Sequence, residues 1–515
     1  MTARVGSDEL STPVRSGKAA MVARSASWNY ASNLIKLATG IGTTMFYARR
    51  LAPEEFGLLA MAQVAIRLSE VLADFGLGNA VVQRKELTHD DVKTALALSL
   101  LSSAGLYAIL SLITPWLAAS MGEPRLTPVL RLLALTVLCA AASTVLRGLL
   151  RRQMRFQMLA VIETIAQVSS HLTVGIPLVL SGYGVWGMIW AGMASALTTL
   201  AALLVVSRKQ LGFGFSGHSA RGLSTYSSRI TMIALIQVAG HISQPLLMAK
   251  ALGAASAGLF STSMRLVSLP IEGVTTALRT VLFPVFSSSR NIRDLRLSFL
   301  QSYFVVANVV IAWSCFVFAA AEPLILLLLG DRWLAAVPIV RILTFVCGFG
   351  YMGSMISTLI DSSLDLQPKL LVDLCYFVLL LVSIVLLYRH GVLAVMAAYA
   401  ALEGVRWVLY SWITLASVAV TFPYWFRLHL RSWPLIAAFG VALLWRDGAH
   451  AGSLAGRVVS VSVTAVILAI GLSAIFALHL GRPGLQRLVC GVWRSPSSTG
   501  PLLLDSLRLS AQAEA

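Results

Sequence analysis

About fourteen apolar segments, each near the ~20 residues a helix needs to cross roughly 30 Å of hydrocarbon, follow one another from Ser27 to Leu480 with short connectors. A backbone in lipid must satisfy its polar groups within its own element, so this pattern predicts an all-α polytopic membrane protein. The 515 residues are 57% hydrophobic and 12% charged, with mean hydropathy +0.80, which leaves no room for a soluble domain. The spans are expected to begin near Ser27, Glu54, Asp91, Leu126, Gln157, Gly184, Tyr226, Ala255, Asp294, Trp333, Lys369, Gly391, Arg431 and Arg457. The ninth and tenth boundaries are the least sharply marked.

The net charge of +18 could suggest nucleic acid, but basic residues beside membrane spans usually set topology, and their distribution decides the point. With both termini placed in the cytoplasm, roughly 25 of the 40 Lys and Arg fall in the tails and even-numbered loops, about 8 in the opposite loops and about 7 inside spans. Arg147, Arg151, Arg152 and Arg155 read as one cytoplasmic cluster, and Arg290, Arg293 and Arg296 as another. Such clusters fix orientation and touch anionic membrane lipids, and no nucleic acid is expected. The segment Met1 to Arg24 is basic and Ser-rich without an apolar core, so no cleaved signal peptide is expected. The five cysteines are dispersed without a CxxC pair and read as small apolar residues; no cofactor or metal is expected.

An internal repeat organises the chain. At an offset of about 201 residues, the stretch from Ala48 to Ala60 falls without gaps on Ala249 to Ser261, so that Ala48, Leu51, Gly57 and Leu58 recur as Ala249, Leu252, Gly258 and Leu259. Each stretch joins two long spans, and Gly184-Val185 opens the sixth span as Gly391-Val392 opens the twelfth. An offset of six helices preserves membrane orientation, which predicts two six-helix lobes related by a pseudo-two-fold axis along the membrane normal, plus a C-terminal helix pair. The expected boundaries are a cytoplasmic tail at 1–26, an N-lobe at 27–210, a linker at 211–225, a C-lobe at 226–420, the pair at 421–480 and a cytoplasmic tail at 481–515.

Polar residues inside the spans form stripes. Gln63, Arg67, Glu70 and Asp74 in the second span follow i, i+4, i+7, i+11 and share a face, as do Ser261, Arg265, Ser268, Glu272, Thr275 and Arg279 in the eighth. The first span carries Asn29, Asn33, Lys36, Gly40 and Thr43, and the seventh carries Gln237, His241 and Gln244 at the positions equivalent to the last three of these. A charge at the bilayer centre costs about 2.5–3.5 kcal/mol on the insertion scale, so these groups should face a watery cavity or partners. Glu403 and Arg406 read as an internal pair at i, i+3. Lys36 has no acid in its own span and Arg279 has its nearest, Glu272, two turns away, so Lys36, Arg67, Arg265 and Arg279 are assigned to a cavity. That assignment points to transport of an anion.

The run from Tyr47 to Ala60, Tyr-Ala-Arg-Arg-Leu-Ala-Pro-Glu-Glu-Phe-Gly-Leu-Leu-Ala, resembles the Wzx-type polysaccharide flippases of the multidrug/oligosaccharidyl-lipid/polysaccharide exporter superfamily, especially the colanic acid exporter branch. The resemblance continues through Asp74-Phe-Gly-Leu-Gly78 to Gln83-Arg, Gly253-Ala-Ala-Ser-Ala-Gly258, and Phe283-Pro284-Val-Phe, covering the first eight spans; the C-terminal third matches only in hydropathy. It implies a flippase carrying an undecaprenyl-diphosphate-linked oligosaccharide to the periplasmic leaflet of a bacterial inner membrane, during exopolysaccharide, capsule or lipopolysaccharide synthesis, by alternating access. Within that reading Lys36, Arg67, Arg265 and Arg279 hold the diphosphate, and Asn33, Gln237, His241 and Gln244 meet the sugar. Glu70, Asp74 and Glu272 are the candidates for coupling to H+ or Na+, and a polysaccharide polymerase and export machinery are the expected partners. The runner-up is a cation-coupled drug exporter of the same superfamily, against which Lys36 and Arg67 argue. An enzyme is not expected, since the chain has no P-loop, Asp-rich metal site or large outer loop.

Overall fold

The computed structural model describes residues 16–74, 77, 78, 81, 88–153, 155–208, 214, 216, 217, 248–273, 275, 282, 286, 292–363, 367–418, 420–448 and 454–480. The described residues form helices and connecting turns, with no strand among them. The first helices are α1 (Ser16–Arg50), α2 (Pro53–Asp74), α3 (His89–Met121), α4 (Leu126–Arg152), α5 (Phe156–Leu180) and α6 (Val185–Ser207). Helix α7 covers residues 248–273, and then come α8 (Ile292–Ala319), α9 (Ala321–Leu328), α10 (Val337–Ser363), α11 (Gln367–Leu387), α12 (Val392–Ser417), α13 (Phe422–Leu430), α14 (Trp433–Gly448) and α15 (Leu454–Leu480).

Among the described residues ten helices are long and apolar enough to cross a membrane, and their starts fall within a few residues of the hydropathy expectation. The span expected from Tyr226 lies outside the described residues. Two short helices went unforeseen: α9, which fills the poorly marked ninth–tenth boundary, and α13, whose nine residues are too few to span. Local chemistry sets several limits. Thr88 and Asp91 exchange side-chain and backbone bonds at 3.0 and 3.2 Å in a capping box that starts α3, and Gly122, at φ +68, ends it in the left-handed region that an L side chain resists.

Packing divides the helices into two groups. Helices α1 to α6 pack among themselves, as do α8 to α15, and α7 is tied to the second group, its Val267 carbonyl accepting from Trp313 Nε1 of α8 at 2.8 Å. One end of the molecule has a core shared by both: Tyr47, Ala48, Leu51 and Phe56 are buried against Phe260, Val267, Trp333 and Leu343. Leu58, Met61 and Ala62 pack with Ala249 and Ala257. At the other end each group has its own core, one built on Leu77, Leu146, Leu149 and Leu203, the other on Phe286, Phe299, Tyr303 and Trp425. The groups therefore meet at one end and separate toward the other.

The meeting point is a crossing of α2 and α7 without room for a side chain. A Cβ on Gly57 would lie 1.8 Å from the Ala254 carbonyl oxygen, and one on Gly258 would lie 1.9 Å from that of Pro53. The repeat pairs Gly57 with Gly258 and Pro53 with Ala254, so the two approaches are symmetry mates, as a pseudo-two-fold axis through the crossing requires. Around it Trp333 Nε1 donates to the Ala48 carbonyl at 2.8 Å, Phe56 meets the Trp333 ring edge-on at 5.0 Å, and Arg332 donates to the Arg50 carbonyl at 3.2 Å.

Candidate functional site

From the glycine crossing, α2 and α7 run toward the open end, and their charged residues lie roughly 10 to 15 Å along their axes at 1.5 Å per residue. Arg67 is on α2 with its side chain 74% exposed, and Arg265 is exposed on α7. The two guanidiniums are within electrostatic reach of each other across the gap between the helix groups. Glu70, one turn beyond Arg67, is its nearest acid at 3.7 Å, too long for a tight pair. Among the described residues no carboxylate pairs with Arg265, and Glu272 and Gly273 further along α7 are exposed. These two arginines thus bring two cations together toward the end where the helix groups separate, with Glu70 the one described acid within ion-pair distance of either.

Lys36 departs from the expectation that it stands unpaired. Its Nζ donates to Glu163 Oε2 on α5 at 2.7 Å, and Arg147 Nε of α4 lies 3.0 Å from the other carboxylate oxygen, within ion-pair range although its N–H does not point at the oxygen. Glu163 therefore joins three helices and leaves its cluster with a charge of +1. Arg147 is corrected too: it belongs to this cluster and not to a cytoplasmic loop, and it lies within electrostatic reach of Glu70. Alternating charges result, Lys36, Glu163, Arg147, Glu70 and Arg67, with a second cation, Arg265, beside the last. Asn33 is exposed one turn before Lys36.

His171 and Tyr47 extend this series. Helix α5 widens to a π turn over His171–Gly175, which places His171 Nδ1 2.9 Å from the Tyr47 hydroxyl and within electrostatic reach of Arg265. A single π turn inside an α-helix often marks a functional position. Neither Glu163 nor His171 has a partner on its own helix, and Lys36 is 127 residues from Glu163. Helical-spacing rules cannot find such a pair; the available signal was the cost of an acid inside an apolar span.

Arg279, Gln237, His241 and Gln244 lie outside the described residues, and Asp74 contributes only its place at the end of α2. In the other helix group, Glu403, 4% exposed, accepts from Arg406 at 2.8 Å and from Tyr376 Oη at 2.6 Å, and the guanidinium covers the Tyr376 ring at 4.3 Å. The expected internal pair thus forms. Asp361 accepts from Lys369, and no group of three or more metal-ligating side chains occurs among the described residues.

Residues 46–338 match the model of a family described as polysaccharide biosynthesis protein, a stretch that contains the glycine crossing, Arg67, Arg147, Glu163 and Arg265. The chain belongs to that family. It is 29% identical over 332 residues to the succinoglycan biosynthesis transport protein ExoT of Rhizobium meliloti (strain 1021), covering 64% of this chain and 66%, just under two thirds, of that relative. It is 22% identical to the lipopolysaccharide biosynthesis protein WzxC of Escherichia coli (strain K12), covering 65% of this chain and 68% of WzxC. Its fold is that of the lipid II flippase MurJ in an inward closed conformation: TM-score 0.69 at 12% identity, over 89% of this chain and 99% of MurJ. The family match ends two residues into α10.

Proposed function

We propose that this membrane protein is a flippase that moves an undecaprenyl-diphosphate-linked oligosaccharide from the cytoplasmic to the periplasmic leaflet of a bacterial inner membrane, supplying exopolysaccharide, capsule or lipopolysaccharide synthesis. The observation that carries the reading is the pair Arg67 and Arg265, one from each helix group and within electrostatic reach of one another, with no described carboxylate on Arg265. Two like charges held across an open cleft are stabilised by an anion between them, and a diphosphate offers oxygens that a guanidinium binds through two parallel N–H bonds. Family membership and the names of the relatives point the same way, since succinoglycan and lipopolysaccharide are polymers built from sugars. On the reading that both termini are cytoplasmic, the glycine crossing is the closed periplasmic side and the cleft the cytoplasmic entrance.

Transport follows by alternating access. Phosphate arriving at Arg67 competes with Glu70 for the guanidinium; a released Glu70 can take up a proton or Na+, a route by which an ion gradient drives the cycle, with Asp74 and Glu272 as further candidates. Lys36 acts through Glu163, which it holds beside Arg147, and binds substrate only if that pair opens. Asn33 and the seventh-span residues Gln237, His241 and Gln244 are proposed for the sugar, with Arg279 as a further cation. No enzymatic step is proposed.

The test reconstitutes the protein in liposomes with a diphosphate-linked oligosaccharide lipid and follows its movement between leaflets. Arg67→Ala and Arg265→Ala are each expected to slow movement at least about tenfold, the equivalent of about 1.4 kcal/mol, with folding intact. Wild-type rates in both variants would remove this site, and no movement by the wild type across several glycans would remove the function.

A further inference from the structure

At the closed end, away from the cleft, a second cationic site is built from three parts of the chain. Arg49 in the last turn of α1, Arg332 in the 3-10 turn Asp331–Ala336 and Arg457 at the start of α15 line a cavity of about 370 Å³, with Asp331, Leu326 and Leu329. Arg49 donates to the Leu327 carbonyl and Arg332 to the Arg50 carbonyl, contacts that orient a guanidinium without cancelling its charge. The one acid in the lining, Asp331, is 79% exposed and 3.7 Å from Arg457. Three guanidiniums and one carboxylate line the cavity, and a guanidinium takes phosphate oxygens through parallel N–H bonds.

Its depth and surroundings identify the ligand. Arg457 is the second residue of a membrane span, Asp331 opens another, and Arg49 closes α1, so all three parts meet where hydrocarbon gives way to water. Beside them Val458, Val459 and Leu334 leave 45–53% of their surface uncovered, so the cavity opens sideways toward acyl chains as well as toward solvent. With the termini inward this is the outer face, where the topology rule keeps Lys and Arg few; Arg49, Arg50, Arg332 and Arg457 are four of about eight there, gathered at one place. Setting orientation does not account for them.

We propose that this cavity binds the phosphate head group of an anionic lipid in the outer leaflet. Arg49 belongs to one helix group and Arg332 and Arg457 to the other, so a phosphate held by all three ties the groups together and favours the closed periplasmic side. The chemistry is shared by an anionic phospholipid and by a lipid phosphate of the polyprenyl type. The site does not depend on the cleft residues, and its binding test is independent of flipping.

The experiment counts lipids retained by the full chain, by native mass spectrometry, after equilibration in nanodiscs of phosphatidylcholine alone, with phosphatidylglycerol, or with undecaprenyl phosphate. Preference for either anionic lipid over phosphatidylcholine is expected, lowered at least about fivefold in R332Q and R457Q and raised in D331N, which removes the cavity's negative charge. Preference for undecaprenyl phosphate alone assigns the site to a polyprenyl carrier, preference for phosphatidylglycerol alone to a bulk phospholipid, and either supports the site. No preference, or one unchanged in R332Q and R457Q, overturns it. Loss in D331N to the level of the arginine variants also overturns it, since only general damage would move all three the same way.

Discussion

Replacing Gly57 by alanine is expected to force the closed end apart. The new Cβ would lie 1.8 Å from the Ala254 carbonyl oxygen, backbone that no rotamer change can move, so α2 and α7 must separate by more than about 1 Å before contact becomes tolerable. The same crossing holds the Trp333 bond to Ala48 at 2.8 Å and the Phe56–Trp333 contact at 5.0 Å, which are stretched together. Overpacking of a close contact costs about 1–3 kcal/mol, and here it falls on the closed conformation alone, so the ratio of closed to open molecules should drop by about 5- to 150-fold. The assay places one cysteine at Ser261, on the cleft side of the crossing, in a background with the five native cysteines replaced, and labels intact cells with a membrane-impermeant maleimide. Labelling should be slow in the parent and rise in Gly57→Ala. Gly258→Ala should match it, because its Cβ meets the Pro53 carbonyl oxygen at 1.9 Å in the symmetry-related place. The double variant should fall short of the sum, since one separation relieves both clashes. Unchanged labelling in folded Gly57→Ala would refute the crossing as the closed gate.

Glu163→Gln leaves Lys36 and Arg147 facing each other without their shared carboxylate; a loss of about 1–3 kcal/mol in thermal or denaturant stability is expected for these partly exposed groups, with partial recovery in Lys36→Glu/Glu163→Lys. Unchanged stability in Glu163→Gln would refute the tie between the three helices. Arg406→Met strips the partner from buried Glu403 and should cost about 3–5 kcal/mol, read as a lowered unfolding midpoint in detergent; replacing both Arg406 and Glu403 by apolar residues should cost much less. Thr88→Ala removes a capping-box acceptor and should cost about 0.5–2 kcal/mol while leaving the flipping rate unchanged, because α3 contributes nothing described to the cleft.

The sequence by itself determined the class of the molecule. Spans near twenty residues long allow only helices in lipid, and their starts could be read from hydropathy because the bilayer imposes the length. It also located the repeat, and through it the equivalence of Gly57 and Gly258, whose contact on a symmetry axis became visible only in three dimensions. The i, i+3 rule found Arg67 with Glu70 and Arg406 with Glu403 because those partners share a helix. Tertiary structure alone decided the rest: that Lys36 is held by Glu163 of α5, that Arg147 turns toward that carboxylate, that His171 meets Tyr47 at a π turn, and that Arg49, Arg332 and Arg457 converge at the outer rim. The reason is physical. Periodicity reports which residues share a face of one helix, whereas charge compensation between helices depends on rotation and packing angle, which are set by many apolar contacts at once and leave no local trace in the order of the residues.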